Sequence, residues 1–236
     1  IQGTRGRFGI AGVGMRGPGE TKLELNRRVL EKEMESLEKQ IEKCNQEGDL
    51  NIQLILNEPR AFQSQLAHYG KFKGVQHYIA LIGKKNSPDL QEKCGYYGEH
   101  LVLLAQQLGL NTRWVALTYK KIPEVLHLDS DEKIVAVISI GYGENQGVAR
   151  RSKDMKDVIE TEENLPQWFY EGIRYALLAP TAMNQQKFKF AFENGKVKVK
   201  RGIGFYTKLD LGIVKYHFEI GAGKNHFQWD TEDDQR

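Results

Sequence analysis

Apolar residues recur with a helical period between Gly95 and Leu108. Leu101, Leu104, Ala105 and Leu108 fall three and four apart, and Val102 and Leu103 widen the apolar face. Charge is sparse there, so the pattern predicts a helix buried over most of its surface. Gly109 stands where a left-handed C-cap is expected. Trp114 to Leu117 then predict a short buried strand. A second helical stripe comes earlier, at Leu23, Leu30, Met34, Leu37, Ile41 and Cys44, with Glu and Lys filling the other faces. Thr21 and Glu24 match a capping box at its start. This predicts an amphipathic helix, packed on a domain or in a short coiled coil.

Strand patterns lie between and after these helices. Asn51 to Leu56 alternates and is ended by Asn57-Glu58-Pro59. Ala61 to Lys73 predicts helix then loop. Val75 to Ile82 predicts a buried strand, and Lys133 to Ile140, a near-continuous apolar run, predicts a strand buried on both faces. Leu165-Pro166-Gln167-Trp168 opens a helix predicted to run to Ala179, stopped by Pro180. Phe188 to Phe192 and Lys196 to Lys200 alternate about Asn194-Gly195, a hairpin signal that puts Lys198 and Lys200 on the wet face. Leu209 to Ile220 predicts a last helix ending at Gly221, before a polar tail expected to fray. Strands alternating with helices imply an α/β or α+β sandwich.

Composition narrows the function. The chain has 236 residues, enough for one large domain or two small ones. Its net charge of +3 gives no general case for nucleic-acid binding and leaves room for a local basic patch. Cys44 and Cys94 lack CxxC spacing, which points to reduced thiols in a cytoplasmic protein and leaves a disulfide open. No apolar run approaches the ~18 residues of a membrane span, and no signal peptide is expected. No Ser-His-Asp, metal-ligand or paired-carboxylate pattern stands out. Residues 1–20 interleave glycines with Arg5, Arg7 and Arg16, a composition that favours a mobile loop.

Two stretches carry family resemblances. Gly98, Leu101, Leu103, Ala105, Leu108, Gly109 and Leu110, followed by Trp114, resemble the central helix of the flavin-dependent nitroreductases. Pro180-Thr181-Ala182-Met183-Asn184-Gln185-Gln186-Lys187-Phe188 resembles that family's A-P-[ST]-A-x-N-x-Q-P-[WF] signature, with Lys187 in place of its second proline. The likeness runs over about residues 40–230. Gly98 to Gly109 is echoed by Gly212 to Gly223, Trp114 by Trp229, and Asn45-Gln46 by Asn184-Gln185. These echoes resemble the two-lobed "TM nitroreductase" subset.

The resemblance implies an α+β fold: a nitroreductase-like α/β sandwich, its central sheet flanked by helices, pseudo-duplicated within one chain. It implies FMN as cofactor, NAD(P)H and a small nitro or quinone electron acceptor as partners, and a pseudo-dimeric monomer or a homodimer. Pro180, Thr181, Ala182, Asn184 and Gln186 would then hold the flavin ring. Trp114, Val115 and Ala116 would lie along its reactive edge. Arg150, Arg151, Lys71 and His68 would face the phosphate.

Separately, Gly14 to Glu24 with Arg27-Arg28 resembles the linker before the G domain of HflX-type ribosome-associated GTPases. No G-x-x-x-x-G-K-[ST] follows anywhere, which argues strongly against an active GTPase. The nearest string, Gly221-Ala222-Gly223-Lys224-Asn225, has Phe218 where the first glycine belongs and Asn225 where Ser or Thr should stand. A gene fusion, a misassembled reading frame or an added expression segment would each account for such a segment. It occupies the place of the Arg-x-Ser-x-Arg run with which nitroreductases grip the flavin phosphate; Arg5 and Arg7 share the spacing without the serine. The expected division is residues 1–44, a first lobe at 45–158 and a shorter second lobe at 159–236. Two functions follow: an FMN-dependent oxidoreductase, or an inactive scaffold of the same fold whose basic N-terminal arm contacts RNA or a ribosome.

Overall fold

The computed structural model describes residues 22–63, 70, 72–144, 147–161 and 164–230, with side chains of the first helix from Lys32 onward. The chain divides into two compact units, residues 1–36 and 37–236. The first unit contributes the opening turns of helix α1 (Lys22–Gly48). In the second unit, the closing turns of α1 bury Leu37, Ile41 and Cys44, the expected stripe. The GTPase-like glycine segment and the tail after Asp230 lie outside the described residues.

The second unit is α+β. Strands β1 (Gln53–Ile55), β2 (His77–Lys84), β3 (Asn111–Val115) and β4 (Glu132–Gly141) form an antiparallel sheet in the order β1-β2-β4-β3. Tyr78, Ala80 and Ile82 of β2 enter one core, with Phe62, Val115 and Val137. Ile79 and Leu81 of the same strand are equally buried on its other face. Helix α2 (Leu90–Gln107) joins β2 to β3. It ends in a Schellman motif: Gly109, at φ +80°, donates to Gln106, and Leu110 donates to the Ala105 carbonyl.

Helix α3 (Gln167–Ala176) leads to strands β5 (Phe188–Glu193) and β6 (Lys196–Arg201). Asn194 and Gly195 both take positive φ between them, the type I′ geometry that matches strand twist. Helix α4 (Thr207–Ala222) follows, and β7 (Gln228–Trp229) then pairs in parallel with β6. Phe169, Ile173, Phe190, Val214 and Phe218 centre a second core. In it, Phe190 stacks on Phe218 with ring centroids 4.7 Å apart.

Four sequence expectations shift. The strand expected at Trp114–Leu117 starts at Asn111 and stops at Val115, because its ladder to β4 ends at Val115↔Val137; Leu117 is 71% exposed. Helix α3 stops at Ala176, short of the expected Ala179. Helix α4 continues through Gly221 and is stopped by Gly223 at φ +77°. Gly221 serves close packing instead, since a Cβ there would sit 2.6 Å from the Glu171 carbonyl oxygen of α3. The glycine echo also changes register. At the crossing of α2 and α4, Gly212 meets Glu92 and Tyr96, and Gly95 reciprocally meets Leu209 and Ile213. The structure therefore pairs Gly95, not Gly98, with Gly212. Gly98 makes room for the indole of Trp114, which a Cβ would approach to 2.5 Å.

Candidate functional site

The segment between α3 and β5 is held in an unusual backbone. Met183, Asn184 and Gln186 take φ of 53°, 53° and 46°, the left-handed region that non-glycine residues rarely occupy. Each such residue costs on the order of 1 kcal/mol or more, so the surroundings must over-determine the shape. They do. Asp210, in the first turn of α4, accepts the Ala182 backbone N–H at 2.9 Å and the Gln185 carboxamide at 2.7 Å. The Thr181 hydroxyl oxygen accepts the Gln186 backbone N–H at 3.0 Å.

A second strand of chain, residues 150–153, is laced to this loop. Arg150 donates to the Asn184 side-chain oxygen at 2.6 Å and to the carbonyls of Leu177 and Ala179. Those carbonyls follow the C-terminus of α3, where helical partners run out, so Arg150 caps that end. The Arg151 carbonyl accepts from the carboxamides of both Asn184 and Gln186. Gln186, buried, also accepts the Lys153 backbone N–H, and its own carbonyl accepts the Lys153 ammonium at 2.8 Å. Met183 at the loop tip is 95% exposed.

Trp114 reaches the same neighbourhood through Glu99. Its indole N–H donates to Glu99 Oε2 at 3.0 Å, and Glu99 Oε1 lies 2.8 Å from His217 Nε2 on α4. Both Glu99 and His217 are buried. Burial pulls the Arg150 guanidinium below its ordinary range, and the Glu99 carboxylate opposes that shift. The negative charge that orients Trp114 thus also acts on the arginine that fixes Asn184.

A family model described as "Putative TM nitroreductase" matches residues 25–222. The chain belongs to this nitroreductase family. Among solved structures, a "putative nitroreductase" of Thermotoga maritima aligns with a TM-score of 0.53 at 22% identity, covering 73% of this chain and 65% of that one. This similarity establishes a shared fold, and the chain spans 65% of the length of that relative. An "FMN-dependent Nitroreductase" of Clostridium difficile aligns at a TM-score of 0.39 with 18% identity, over 53% of this chain and 88% of that one. A "Putative NADH Oxidase" of Clostridium acetobutylicum aligns at 0.36 with 23% identity, over 53% and 89%. No curated protein matches the chain.

The nitroreductase signature residues are thus placed as follows. Thr181, Ala182, Asn184, Gln186, Arg150 and Arg151 form one hydrogen-bonded unit, with half-buried Pro180 leading into it. Among the described residues, Trp114 is not hydrogen-bonded to this unit; Glu99 ties it to His217 of α4. Val115 is buried in the first core, and Ala116 follows it half-buried at the end of β3. His68 and Lys71 lie outside the described residues. The sequence alone does not single out Asp210, Glu99, His217 or Lys187 as candidate site residues. Two of them carried a signal: Glu99 and Asp210 are lone acids on otherwise apolar helical faces, and a buried acid needs partners.

Asp210 yields a pH prediction. Burial raises its carboxyl above the ordinary range, against the lowering effect of the two bonds it accepts. A carboxyl raised in the folded state adds stability that is present at low pH and lost as pH rises through its folded value. Asp210→Asn lacks that titration and sets an amide N–H against the donor of Gln185, so it costs about 1–2 kcal/mol at neutral pH. Thermal melts of both proteins from pH 7 down towards pH 4 are expected to show the wild type gaining on the variant. A gap that narrows instead contradicts the assignment.

Proposed function

We propose that this nitroreductase-family chain is an FMN-dependent oxidoreductase. When bound, FMN supplies the redox chemistry between NAD(P)H and a nitro or quinone acceptor. The observation that carries the reading is the strained 181–186 loop: three left-handed non-glycine residues locked by Asp210 and Arg150, in the segment that resembles the family signature. Strain held this firmly is characteristic of ligand-clamping sites.

The residues present fit the group in a particular way. The Arg150 guanidinium and the Asn184 and Gln186 carboxamides bond within the protein, so they shape the loop. Pro180, Thr181 and small Ala182 are left to approach a flat ring, and the Trp114–Ala116 backbone to lie along its edge. Exposed Arg151 supplies positive charge for the phosphate. We also propose the two lobes, 45–158 and 159–236, as a pseudo-dimer around the α2–α4 crossing. Among the described residues no helix is long and apolar enough to cross a membrane. Cys44 and Cys94 are buried free thiols, which supports a reducing, cytoplasmic setting.

A second reading, the inactive scaffold, is favoured by one observation: the inward commitment of those two carboxamides and of Arg150. The visible absorption spectrum with added FMN separates the two. A flavin band that stays with the protein through desalting is expected. A colourless protein that also fails to quench FMN fluorescence sinks the oxidoreductase reading.

A further inference from the structure

The hairpin of β5 and β6 has one dry face and one basic face. Phe188 and Phe190 are buried in the second core, and Lys189 between them is exposed on the other side. Exposed Lys200 of β6 stands directly across from Lys189. Like charges in that position cost stability, so folding alone does not favour them. Lys200 is paired with Glu160 at 3.1 Å, and Lys189 has no carboxylate partner among the described residues. The hairpin leads into an arm at residues 202–206 whose carbonyls are tied inward. That of Ile203 accepts the Lys187 ammonium at 2.8 Å, that of Phe205 accepts the Gln185 carboxamide at 2.8 Å, and that of Gly204 accepts the Thr207 hydroxyl. Tyr206, at φ +59°, then turns the chain into α4. With the backbone held in this way, the side chains of Ile203 and Phe205 are left 93% and 82% exposed. Met183, equally bare, stands on the loop to which Gln185 ties the arm. Lys208 follows, exposed, in the first turn of α4. Large apolar side chains on an ordered arm, rimmed by cations, mark an interaction surface.

We propose that Met183, Ile203 and Phe205, with Lys189 and Lys208 beside them, dock this chain peripherally on an anionic lipid bilayer. The apolar side chains enter the boundary between headgroups and acyl chains, and the lysines meet anionic headgroups. Two features choose this occupant. The positive rim complements an anionic phospholipid surface and opposes a second copy of the same face, because a two-fold contact would bring like charges together. Ile203 and Met183 are aliphatic and offer no ring to stack on a base, which sets the patch apart from the aromatic platforms that bind single-stranded nucleic acid. Docking of this kind needs no spanning helix, and it stands independently of the oxidoreductase reading.

The test sediments the full chain with vesicles of phosphatidylcholine alone and of phosphatidylcholine mixed with phosphatidylglycerol. The wild type is expected to bind the mixed vesicles about tenfold or more tighter than the neutral ones, and to leave them as salt rises. Lys189→Gln/Lys208→Gln is expected to weaken binding by about 25-fold, about fivefold for each cation. Ile203→Ser/Phe205→Ser is expected to weaken it by about tenfold or more. Both variants should melt with the wild type, because the altered side chains are exposed. Lys120→Gln/Lys121→Gln removes the same charge from the connection between β3 and β4 and retains binding. The glycine- and arginine-rich residues 1–20 are present in every protein compared, so binding through them would survive both patch variants and overturn the proposal. A wild type that binds neither vesicle, or binds both equally, overturns it too. A chain that binds polyuridylate and no vesicle makes the patch a nucleic-acid site, and one that dimerises through this face and binds no vesicle makes it a subunit interface; either result removes the lipid assignment.

Discussion

Gly212→Ala is expected to lower the melting temperature by about 5–10 °C. Its Cβ would overlap the Glu92 carbonyl oxygen and stand 2.6 Å from the Tyr96 nitrogen. Both obstacles are backbone of α2, so no side chain can rotate away and the two helices must part. Overpacking of this kind costs about 1–3 kcal/mol, and each kcal/mol is worth about 2–4 °C in a chain of this size. Gly95→Ala meets the Leu209 carbonyl oxygen in the mirror arrangement and is expected to cost a similar amount. Because both act on one crossing, the double variant should fall short of the sum. The effect also reaches the loop. Asp210 lies two residues before Gly212 on the same helix, so displacement of α4 pulls on the bonds to Ala182 and Gln185. A Gly212→Ala protein that melts within about 1 °C of the wild type would refute the close crossing.

Glu99→Leu is expected to cost about 3–5 kcal/mol, the range for removing one partner from a buried polar pair. It leaves the Trp114 indole N–H and the His217 ring nitrogen without their acceptor and partner in a buried place. Glu99→Gln should restore most of the stability, since its carbonyl oxygen still accepts from the indole and its amide can donate to an unprotonated ring nitrogen. The two variants are compared by denaturant unfolding and by tryptophan emission in a Trp168→Phe/Trp229→Phe background, which leaves Trp114 as the reporter. Equal losses in both would mean that the charge of Glu99, and not its shape, holds the contact. A Leu variant as stable as the wild type would remove Glu99 as the buried link between Trp114 and His217.

These two positions show where sequence reading succeeded and where it stopped. The periods of 3.6 and 2 along the chain identify α1, α2, α4, the buried strands β2 and β4, and the Asn194-Gly195 hairpin, because burial of one face is a local pattern. Gly109 is legible for the same reason: a glycine after the last periodic residue is a C-cap signal. Gly221 carries the same spelling and is misread as a stop, because its reason is a neighbour 46 residues or more away in the chain, the Glu171–Tyr175 turn of α3. The glycine echo is visible by spacing, but its register is not. The pairing of Gly95 with Gly212 depends on which turns of two distant helices touch.

The loop at residues 180–186 is likewise legible as a string and not as a device. Its carboxamides and the basic pair Arg150-Arg151 stand out by type and by their resemblance to the nitroreductase signature. Their division of labour is tertiary. Arg150 faces inward because α3 ends with unpaired carbonyls beside it, and Arg151 points out with Lys153 and Lys187. The amino-acid sequence by itself determined the α+β class, the elements and the family, since these follow from periodicity, turn chemistry and local spelling. The tertiary structure decided which polar groups are spent on one another and which remain for a ligand. That division depends on hydrogen bonds between groups 28 to 35 residues apart, such as Asp210 with Ala182 and Gln186 with Arg151, and no local pattern encodes them.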